Sequence, residues 1–383
     1  MKLVVEEFYK SIAKDGEEVC GDNVEVIKRD DTTIIVLSDG LGSGIKANIL
    51  STLTSKIAIG LLNKNLPLEE IIATIIETLP ICEVREIAYA TLAVLKIDNK
   101  GIVQLMEMDT PSAFLLRENE IQSIQTNEME VRGKTIRKAE FEMDRSDMIF
   151  LASDGVLHAG IGGLLDFGLG WDGVADHLEK VAKKKKELKY IINKMVGICQ
   201  GYYFTEPGDD FTILGVKYRR TREVNILSGP PQNKDDDPKV INKLMSAPGK
   251  KVINGGTTAQ IAARELDEEL ETSFEYHDSD IPPVSYLKGV DLVTEGLLTL
   301  NKVLEFLEEY KQGQLLPESE DGASKLIRLL LNSDKIHFLV GRAMNESHQS
   351  LNLPLELGIR SQIVDRIANH LEEFNKEVSI EWF

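Results

Sequence analysis

A hairpin signal at residues 92–108 is the feature that most constrains the fold of this chain. Two apolar segments, Leu92–Ile97 and Ile102–Met108, are separated only by the polar connection Asp98-Asn-Lys-Gly101. A short polar connection that ends in glycine is typical of a β-hairpin, and strands joined by a hairpin are antiparallel. The segment therefore predicts an antiparallel sheet and argues against a parallel, Rossmann-type sheet in this part of the chain.

Other segments before residue 220 extend this antiparallel arrangement. Apolar or alternating patterns predict further strands at Thr32–Ser38, Ser112–Arg117, Glu120–Ile124, Ile136–Met143, Met148–Ala152 and Phe211–Tyr218. Helical periodicity predicts helices at Gly44–Asn63, Leu68–Ile81, Trp171–Lys185 and Glu187–Gly201. The predicted fold class of residues 1–220 is α+β, with two packed antiparallel sheets covered by helices.

The last third of the chain has a different pattern, in which strands alternate with helices. Short apolar strands are predicted at Lys251–Ile253, Val290–Val293, Lys335–Val340 and Val378–Trp382. Helices are predicted near Thr258–Glu271, Thr299–Tyr310, Ser324–Leu331 and Ser361–Phe374. Such alternation favours a smaller α/β domain with a parallel sheet. Adjacent prolines and three aspartates before Pro238 predict a linker at 221–238, between domains at 1–220 and 239–383.

Charge and cysteine content exclude several functional classes. The chain has 44 Lys and Arg against 63 Asp and Glu, a net charge of −19, which disfavours a nucleic-acid-binding protein. Cys20, Cys82 and Cys199 are scattered and show no metal-binding spacing, so neither a disulfide framework nor a structural zinc site is expected. We see no signal peptide and no apolar stretch of about 20 residues. The expected location is the cytoplasm, without a membrane segment.

Four aspartates lie where predicted strands end or in the turns beside them: Asp22, Asp39, Asp154 and Asp209. Asp39 and Asp154 each stand in the sequence Ser-Asp-Gly after an apolar strand. Glycine allows a sharp turn and lets its carbonyl approach a cation. Hard divalent cations such as Mg²⁺ and Mn²⁺ prefer carboxylate and carbonyl oxygens. The pattern indicates a metal site, with ordinary Asp-Gly turns as the alternative interpretation.

Six short motifs follow one another in an order that resembles a known family. They are Cys20-Gly-Asp-Asn23, Val36–Ala47, Tyr89–Ala93, Pro111–Arg117, Asp147–Val156 and Gly208–Leu214. Together they resemble the metal-dependent protein phosphatases of the 2C type, in particular the bacterial branch named for the sporulation stage II protein E. The resemblance covers about residues 1–218. It implies an α-β-β-α sandwich, a centre of two Mn²⁺ or Mg²⁺ ions between the sheets, and hydrolysis of phosphoserine or phosphothreonine.

The resemblance also implies a role for each acidic residue. Asp39 would bridge both ions, and the carbonyl of Gly40 would bind one of them. Asp154 and Asp209 would complete the shell of one ion, and Asp22 would lie beside the pair. The chain departs from many family members at Gly21, because they carry a glutamate before the aspartate that corresponds to Asp22.

The leading hypothesis from the sequence is a Mn²⁺- or Mg²⁺-dependent serine/threonine protein phosphatase that uses a metal-activated water. The resemblance implies a phosphorylated signalling protein as substrate, such as a domain similar to an anti-sigma-factor antagonist. A cysteine phosphatase is excluded, because none of the three cysteines is followed six residues later by arginine. Two alternatives stay open: a phosphate-reading signalling protein with little turnover, and a small-molecule phosphatase.

Residues 239–383 resemble no family known to us, but they contain one candidate ligand site. Gly255, Gly256, Thr257 and Thr258 follow a predicted strand and open a helix. Free N–H groups at a helix start favour anions, so these residues predict a phosphate or carboxylate site. The alternative is a tight turn in which Thr257 or Thr258 is the N-cap. We expect this domain to have a regulatory or ligand-sensing role.

Overall fold

The structure is a computed structural model that describes residues 3–29, 31–64, 66, 68–78, 90–204, 206–272, 282–343 and 353–383. It divides into two compact units, Met1–Arg220 and Thr221–Phe383. The end of one predicted helix at 79–81, together with Cys82 and Tyr89, lies outside the described residues.

The strands of the first unit form two antiparallel sheets. One contains β1 (Leu3–Ile12), β6 (Phe114–Arg117), β7 (Glu120–Ser123), β10 (Met148–Ala152) and β11 (Phe211–Arg220), in the order β1-β11-β10-β6-β7. The other contains β2 (Asp22–Lys28), β3 (Thr32–Asp39), β4 (Leu92–Asp98), β5 (Ile102–Met108), β8 (Asn127–Val131) and β9 (Lys134–Glu142), in the order β2-β3-β4-β5-β9-β8. The predicted hairpin joins β4 to β5 with Leu95 opposite Leu105.

Helices cover the outer faces of both sheets. The helices α1 (Gly44–Leu62) and α2 (Leu68–Thr78) pack on the sheet that contains β3, and α4 (Gly170–Lys184) and α5 (Leu188–Tyr202) pack on the sheet that contains β11. A single short helix, α3 (Asp154–Leu157), follows β10 directly. This architecture confirms the predicted α-β-β-α sandwich.

Burial on both faces explains why the central strands read as continuous apolar runs. In β3, Ile35 and Leu37 face the core between the two sheets, while Ile34 and Val36 pack under the helices. A strand that is buried on both sides needs apolar residues at every position instead of alternating ones. The run stops at Ser38-Asp39, so β3 carries its first acidic side chain to the end of the sheet.

One helix in the described part of the chain, α1, is long and apolar enough to cross a membrane by length and composition alone. In the sandwich this helix packs against β2 and β3, and its buried residues include Ala47, Ala58 and Leu62. It therefore forms one of the helical layers of the fold.

The second unit contains a single mixed sheet. Its strands are β12 (Glu223–Ser228), β13 (Lys250–Asn254), β14 (Glu271–Thr272), β15 (Ser285–Tyr286), β16 (Leu292–Thr294), β17 (Lys335–Val340) and β18 (Glu377–Trp382). The order is β14-β15-β16-β13-β12-β17-β18, and the five strands from β16 to β18 run parallel. The predicted α/β domain is confirmed, with an antiparallel edge formed by β14 and β15.

Helices lie on both faces of this second sheet. One face is covered by α6 (Asp237–Ser246) and α7 (Gly256–Leu266), and the other by α8 (Leu297–Lys311), α9 (Gly322–Leu331) and α10 (Leu353–Glu373). From β12 the chain first builds the sheet toward β13 and β16, and then returns to add β17 and β18 on the other side of β12. The sheet is therefore doubly wound, with its reversal point between β12 and β17.

The segment 221–238, predicted as a linker, is instead part of the second unit. Its residues 223–228 are the central strand β12, in which Val224, Ile226 and Leu227 are buried. The polar residues behind them form only a turn and a short 3₁₀ helix (Lys234–Asp236) that lead into α6. The prolines and aspartates dominated the sequence pattern and concealed a six-residue buried strand beside them.

Candidate metal centre

All four predicted aspartates lie at one end of the sandwich, and each sheet contributes two of them. Asp22 and Asp39 face each other across the antiparallel pair β2–β3. Asp154 opens α3 at the end of β10, and Asp209 lies in the turn before β11. Because β10 and β11 are neighbours in the other sheet, the strand pairing of the two sheets brings these distant residues together.

Three of the aspartates border one cavity of about 590 Å³. Asp39, Asp154 and Asp209 line it together with Gly40. Asp22 is buried behind them with 4% of its surface exposed, and its Oδ2 accepts a hydrogen bond of 2.7 Å from Ser153 Oγ. The arrangement matches the predicted grouping, and the role of each residue as a metal ligand remains a prediction.

Thr91 fixes the position of Asp39 within this group. The Asp39 N–H donates to Thr91 Oγ1 at 3.3 Å, and the Thr91 N–H donates to the Asp39 carbonyl oxygen at 2.8 Å. Ser38 Oγ donates to the Thr91 carbonyl oxygen at 2.8 Å. The motif around Thr91 therefore holds the end of β3 in a fixed geometry, which a carboxylate that binds a cation requires.

The two Ser-Asp-Gly glycines are required by close packing. A Cβ on Gly40 would lie 2.0 Å from the carbonyl oxygen of Ala47, and one on Gly155 would lie 2.1 Å from the carbonyl oxygen of Asp210. Neither glycine has a positive φ. The sequence predicts sharp turns at both glycines, but the structure shows that they let neighbouring backbone segments approach the acidic residues closely.

Asp210 explains why the chain has glycine at position 21. A Cβ on Gly21 would lie 2.7 Å from Asp210 Oδ2 and 2.9 Å from the Cβ of Ala47. Asp210 is buried, and its Oδ1 accepts a hydrogen bond of 3.0 Å from the Lys14 N–H. The side chain of Asp210 thus occupies the space that a larger residue at position 21 would need.

The crowded carboxylates raise one another's pKa values. Burial raises the pKa of Asp39, and the charges of Asp22 and Asp154 raise it further. Burial is also the largest cause of the raised pKa values of Asp22 and Asp209. Buried like charges are costly unless a cation neutralises them.

The donor set fits a hard divalent cation. It consists of carboxylates, and such cations take oxygen ligands. Two buried carboxylate oxygens, Asp22 Oδ1 and Asp210 Oδ2, have no hydrogen-bond partner among the described residues. Buried acceptors without a partner are rare in folded proteins, so these two oxygens favour a cation bound beside them.

His158 and Lys14 lie at the site although they are not among the predicted site residues. The Nδ1 of His158 lies 3.9 Å from Asp154 Oδ2, and one ring nitrogen of His158 lies within 4.8 Å of a carboxylate oxygen of Asp154 and of one of Asp209. The spacing of four residues after Asp154 was a usable signal, since such residues share one side of a helical turn. Lys14 lines the cavity as well, and nothing in its sequence context indicates this position.

The model of the family described as stage II sporulation protein E (SpoIIE) matches residues 29–219. This segment is a SpoIIE-family domain. It contains Asp39, Asp154 and Asp209, while Asp22 precedes the matched residues. The match confirms the resemblance inferred from the six motifs.

Several solved structures are similar to this chain. The phosphatase domain of SpoIIE from Bacillus subtilis, with a fragment of its regulatory domain, is 20% identical, covers 57% of this chain and has a TM-score of 0.49. The match spans 64% of that structure's own chain. The RsbU and RsbW domains of a Mycobacterium tuberculosis protein are 16% identical over 63% of this chain and 68% of theirs, with a TM-score of 0.48.

RsbX in complex with magnesium is 18% identical to this chain, with a TM-score of 0.41. The match covers 56% of this chain and 95% of RsbX. A comparison with curated proteins gave no match.

Proposed function

We propose that the SpoIIE-family domain hydrolyses phosphoserine or phosphothreonine on a signalling protein, using Mn²⁺ or Mg²⁺. The observation that carries this proposal is the convergence of Asp39, Asp154 and Asp209 on one cavity, with Asp22 and Asp210 buried beside them. Two ions are expected. The family resemblance supports a phosphorylated domain similar to an anti-sigma-factor antagonist as substrate, and the cytoplasm as the location.

Each residue of the site has a distinct task in the proposed reaction. Asp39, Asp154, Asp209 and the Gly40 carbonyl would hold the ions. Bound ions lower the pKa of water for in-line attack on phosphorus and neutralise the developing charge. Thr91 keeps Asp39 in place, and Ser153 keeps Asp22 hydrogen-bonded. Lys14 supplies a positive charge at the cavity, where a phosphoryl group has to approach several carboxylates.

Gly21 had motivated the hypothesis of a phosphate-reading protein with little turnover. The Asp210 carboxylate lies against this glycine, so the site has an additional carboxylate in the space that a side chain at position 21 would take. This observation supports an active hydrolase over a catalytically weak protein.

The proposal is tested by hydrolysis of a phosphoserine peptide and of p-nitrophenyl phosphate by the full-length chain. After treatment with EDTA the protein should be inactive, and Mn²⁺ or Mg²⁺ should restore activity, since no side chain of the site replaces the ions. A protein that stays inactive with either ion disproves the proposal. Much faster turnover of sugar or nucleotide phosphates than of the peptide would favour the small-molecule phosphatase instead.

Replacing Lys14 with alanine should raise KM for the phosphopeptide about tenfold while changing kcat less, because the side chain contributes charge to phosphate binding. Its backbone N–H, which binds Asp210, is kept in the variant. Steady-state kinetics with saturating Mn²⁺ measure the effect. Lys10→Ala is the matched control, since Lys10 is an exposed lysine of β1 and is not among the residues that line the cavity. Equal KM values for both variants would contradict the assignment of Lys14.

A further inference from the structure

Three turns at the carboxyl edge of the second unit's parallel sheet contain glycine. Gly229 follows β12, Gly255 follows β13 and Gly296 lies two residues beyond β16. We call these three residues the glycine edge. In a doubly wound sheet, ligands bind beyond the carboxyl ends of the strands, near the point where the winding reverses. That point lies between β12 and β17, next to the turn that contains Gly229.

Glycines at this edge allow the guanidinium group of Arg360 to lie close to the backbone. A Cβ on Gly229 would lie 2.1 Å from Arg360 Nη1, and a Cβ on Gly296 would lie 4.0 Å from Arg360 Nη2 and 3.8 Å from the Cα of Gly255. Arg360 belongs to α10, so its positive charge reaches these turns from another element. The absence of side chains at the three turns lets the guanidinium and the backbone approach one another.

A buried polar network holds the turns in position. Ser228 Oγ donates to Asn254 Oδ1 at 2.8 Å, and Asn254 Nδ2 donates to Thr294 Oγ1 and to the Gly296 carbonyl oxygen, both at 3.0 Å. The Gly255 N–H donates to the Thr294 carbonyl oxygen at 2.9 Å. The ends of β12, β13 and β16 are thereby fixed before any ligand arrives, which lowers the entropic cost of binding.

The helix that starts at the glycine edge has no side-chain cap. The N-cap of α7 is Gly255, so the alternative of a threonine N-cap at position 257 or 258 is wrong. The N–H groups of Gly256, Thr257 and Thr258 have no acceptor within the helix, because a first turn offers none. By contrast, α9 provides its own cap, since Asp321 accepts from the Ser324 N–H at 2.9 Å.

A second observation points to a ligand at this helix start. Thr258 is 1% exposed, and its Oγ1 has no hydrogen-bond partner among the described residues. The hydroxyl oxygen lies 3.0 Å from the position that a Cβ of Gly255 would take, so it is directed toward the first turn of α7. Buried hydroxyls are nearly always paired, and an acceptor bound at this turn would pair this one.

We propose that the glycine edge and the first turn of α7 bind the phosphate group of a small molecule. The N–H groups of Gly256, Thr257 and Thr258 and the Thr258 hydroxyl donate to the phosphate oxygens, and Arg360 supplies the nearby positive charge. Glu295 does not compete for this helix, because its Oε2 accepts from the Leu298 N–H at the start of α8. This binding activity is separate from the hydrolysis proposed for the SpoIIE-family domain.

Isothermal titration of the full-length chain in EDTA tests the site, since the metal-free acidic cluster of the first unit repels anions. The probes are inorganic phosphate, AMP and NAD⁺. At least one of these probes should bind, and Thr258→Val should weaken its binding about tenfold, because the variant lacks one hydrogen-bond donor. A nucleotide that binds much more tightly than inorganic phosphate identifies a nucleotide ligand, and equal affinities identify the phosphate group alone.

Gly256→Asp provides a variant that should lose binding without unfolding. A Cβ on Gly256 meets no atom within 4 Å, and an acidic residue in the first turn stabilises a helix. Gln260→Glu places a similar charge one turn further along α7 and should bind within about threefold of the wild type. Amide hydrogen exchange should show probe-dependent protection at residues 254–262. If none of the probes binds, or if Thr258→Val and Gly256→Asp both leave the affinity unchanged, the proposal is overturned.

Discussion

Replacing Asp39 with asparagine should lower kcat for a phosphoserine peptide by at least about a thousandfold at saturating Mn²⁺. Asp39 faces Asp22 within its own sheet, and its carboxylate interacts with Asp154 and Asp209 from the other sheet. Asp39 therefore interacts with acidic residues from both sheets. Asparagine keeps the shape of this residue but removes the charge that would hold a cation.

Asp98→Asn is the matched control for this loss. Asp98 lies at the opposite end of the same sheet, where its Oδ1 accepts from the N–H groups of Lys100 and Ile102. Asparagine can accept the same two hydrogen bonds, so kcat should stay within about twofold of the wild type. If kcat of Asp39→Asn is lowered less than about tenfold, Asp39 does not hold the ions in the proposed way.

The Asp39→Asn substitution should raise the unfolding temperature in the absence of metal and lower it, relative to the wild type, in the presence of metal. In EDTA, Asp39→Asn should unfold several degrees above the wild type, because it removes one of several buried like charges. Since folding raises the pKa of Asp39, its contribution to stability is complete only below its unfolded pKa and is lost as the pH rises. The comparison by scanning calorimetry therefore belongs near neutral or slightly alkaline pH.

Added Mn²⁺ should make the wild type unfold at a higher temperature than Asp39→Asn. The wild type gains about 2.7 kcal/mol of unfolding free energy when free Mn²⁺ is about a hundredfold above its Kd, whereas Asp39→Asn gains much less. Asp98→Asn should follow the wild type in both conditions. A wild type whose unfolding temperature does not respond to Mn²⁺ or Mg²⁺, together with an Asp39→Asn variant that is less stable in EDTA, would show that the carboxylates form no cation site.

The fold could be predicted where local pattern and tertiary burial agree. β5 and β10 occur with the predicted bounds, because β10 is apolar throughout, β5 is interrupted only by Gln104 and Glu107, and both strands end at polar turns. β1 was missed because Glu6, Glu7 and Lys10 break its pattern, and it lies at the edge of its sheet, where pairing with β11 stabilises it. Such an edge strand depends on a partner about 200 residues away, which no local pattern reveals.

The acidic site could be predicted only where its residues depend on local sequence pattern. Asp39 is the last residue of the buried strand β3, and Asp154 lies two residues beyond the end of β10, so the positions of both could be inferred from the strands. Asp210 was missed because its proximity to Gly21 depends on packing between segments from different sheets. Lys14 reaches the cavity from a loop with no distinctive sequence. The close approach of the Ala47 carbonyl to Gly40 likewise exists only in the folded chain.

The division of the acidic residues between the two sheets has a consequence for how activity arises during folding. Leu95 and Leu105 on one sheet pack with Ile149 and Leu151 on the other. This apolar layer and the hydrogen bond from Ser153 to Asp22 hold the two pairs of aspartates at a fixed distance. A folding intermediate in which only one sheet has formed would present two carboxylates, too few to retain a cation. Metal uptake by this protein would therefore report the docking of the sheets, and it would come late, after the long-range contacts have formed.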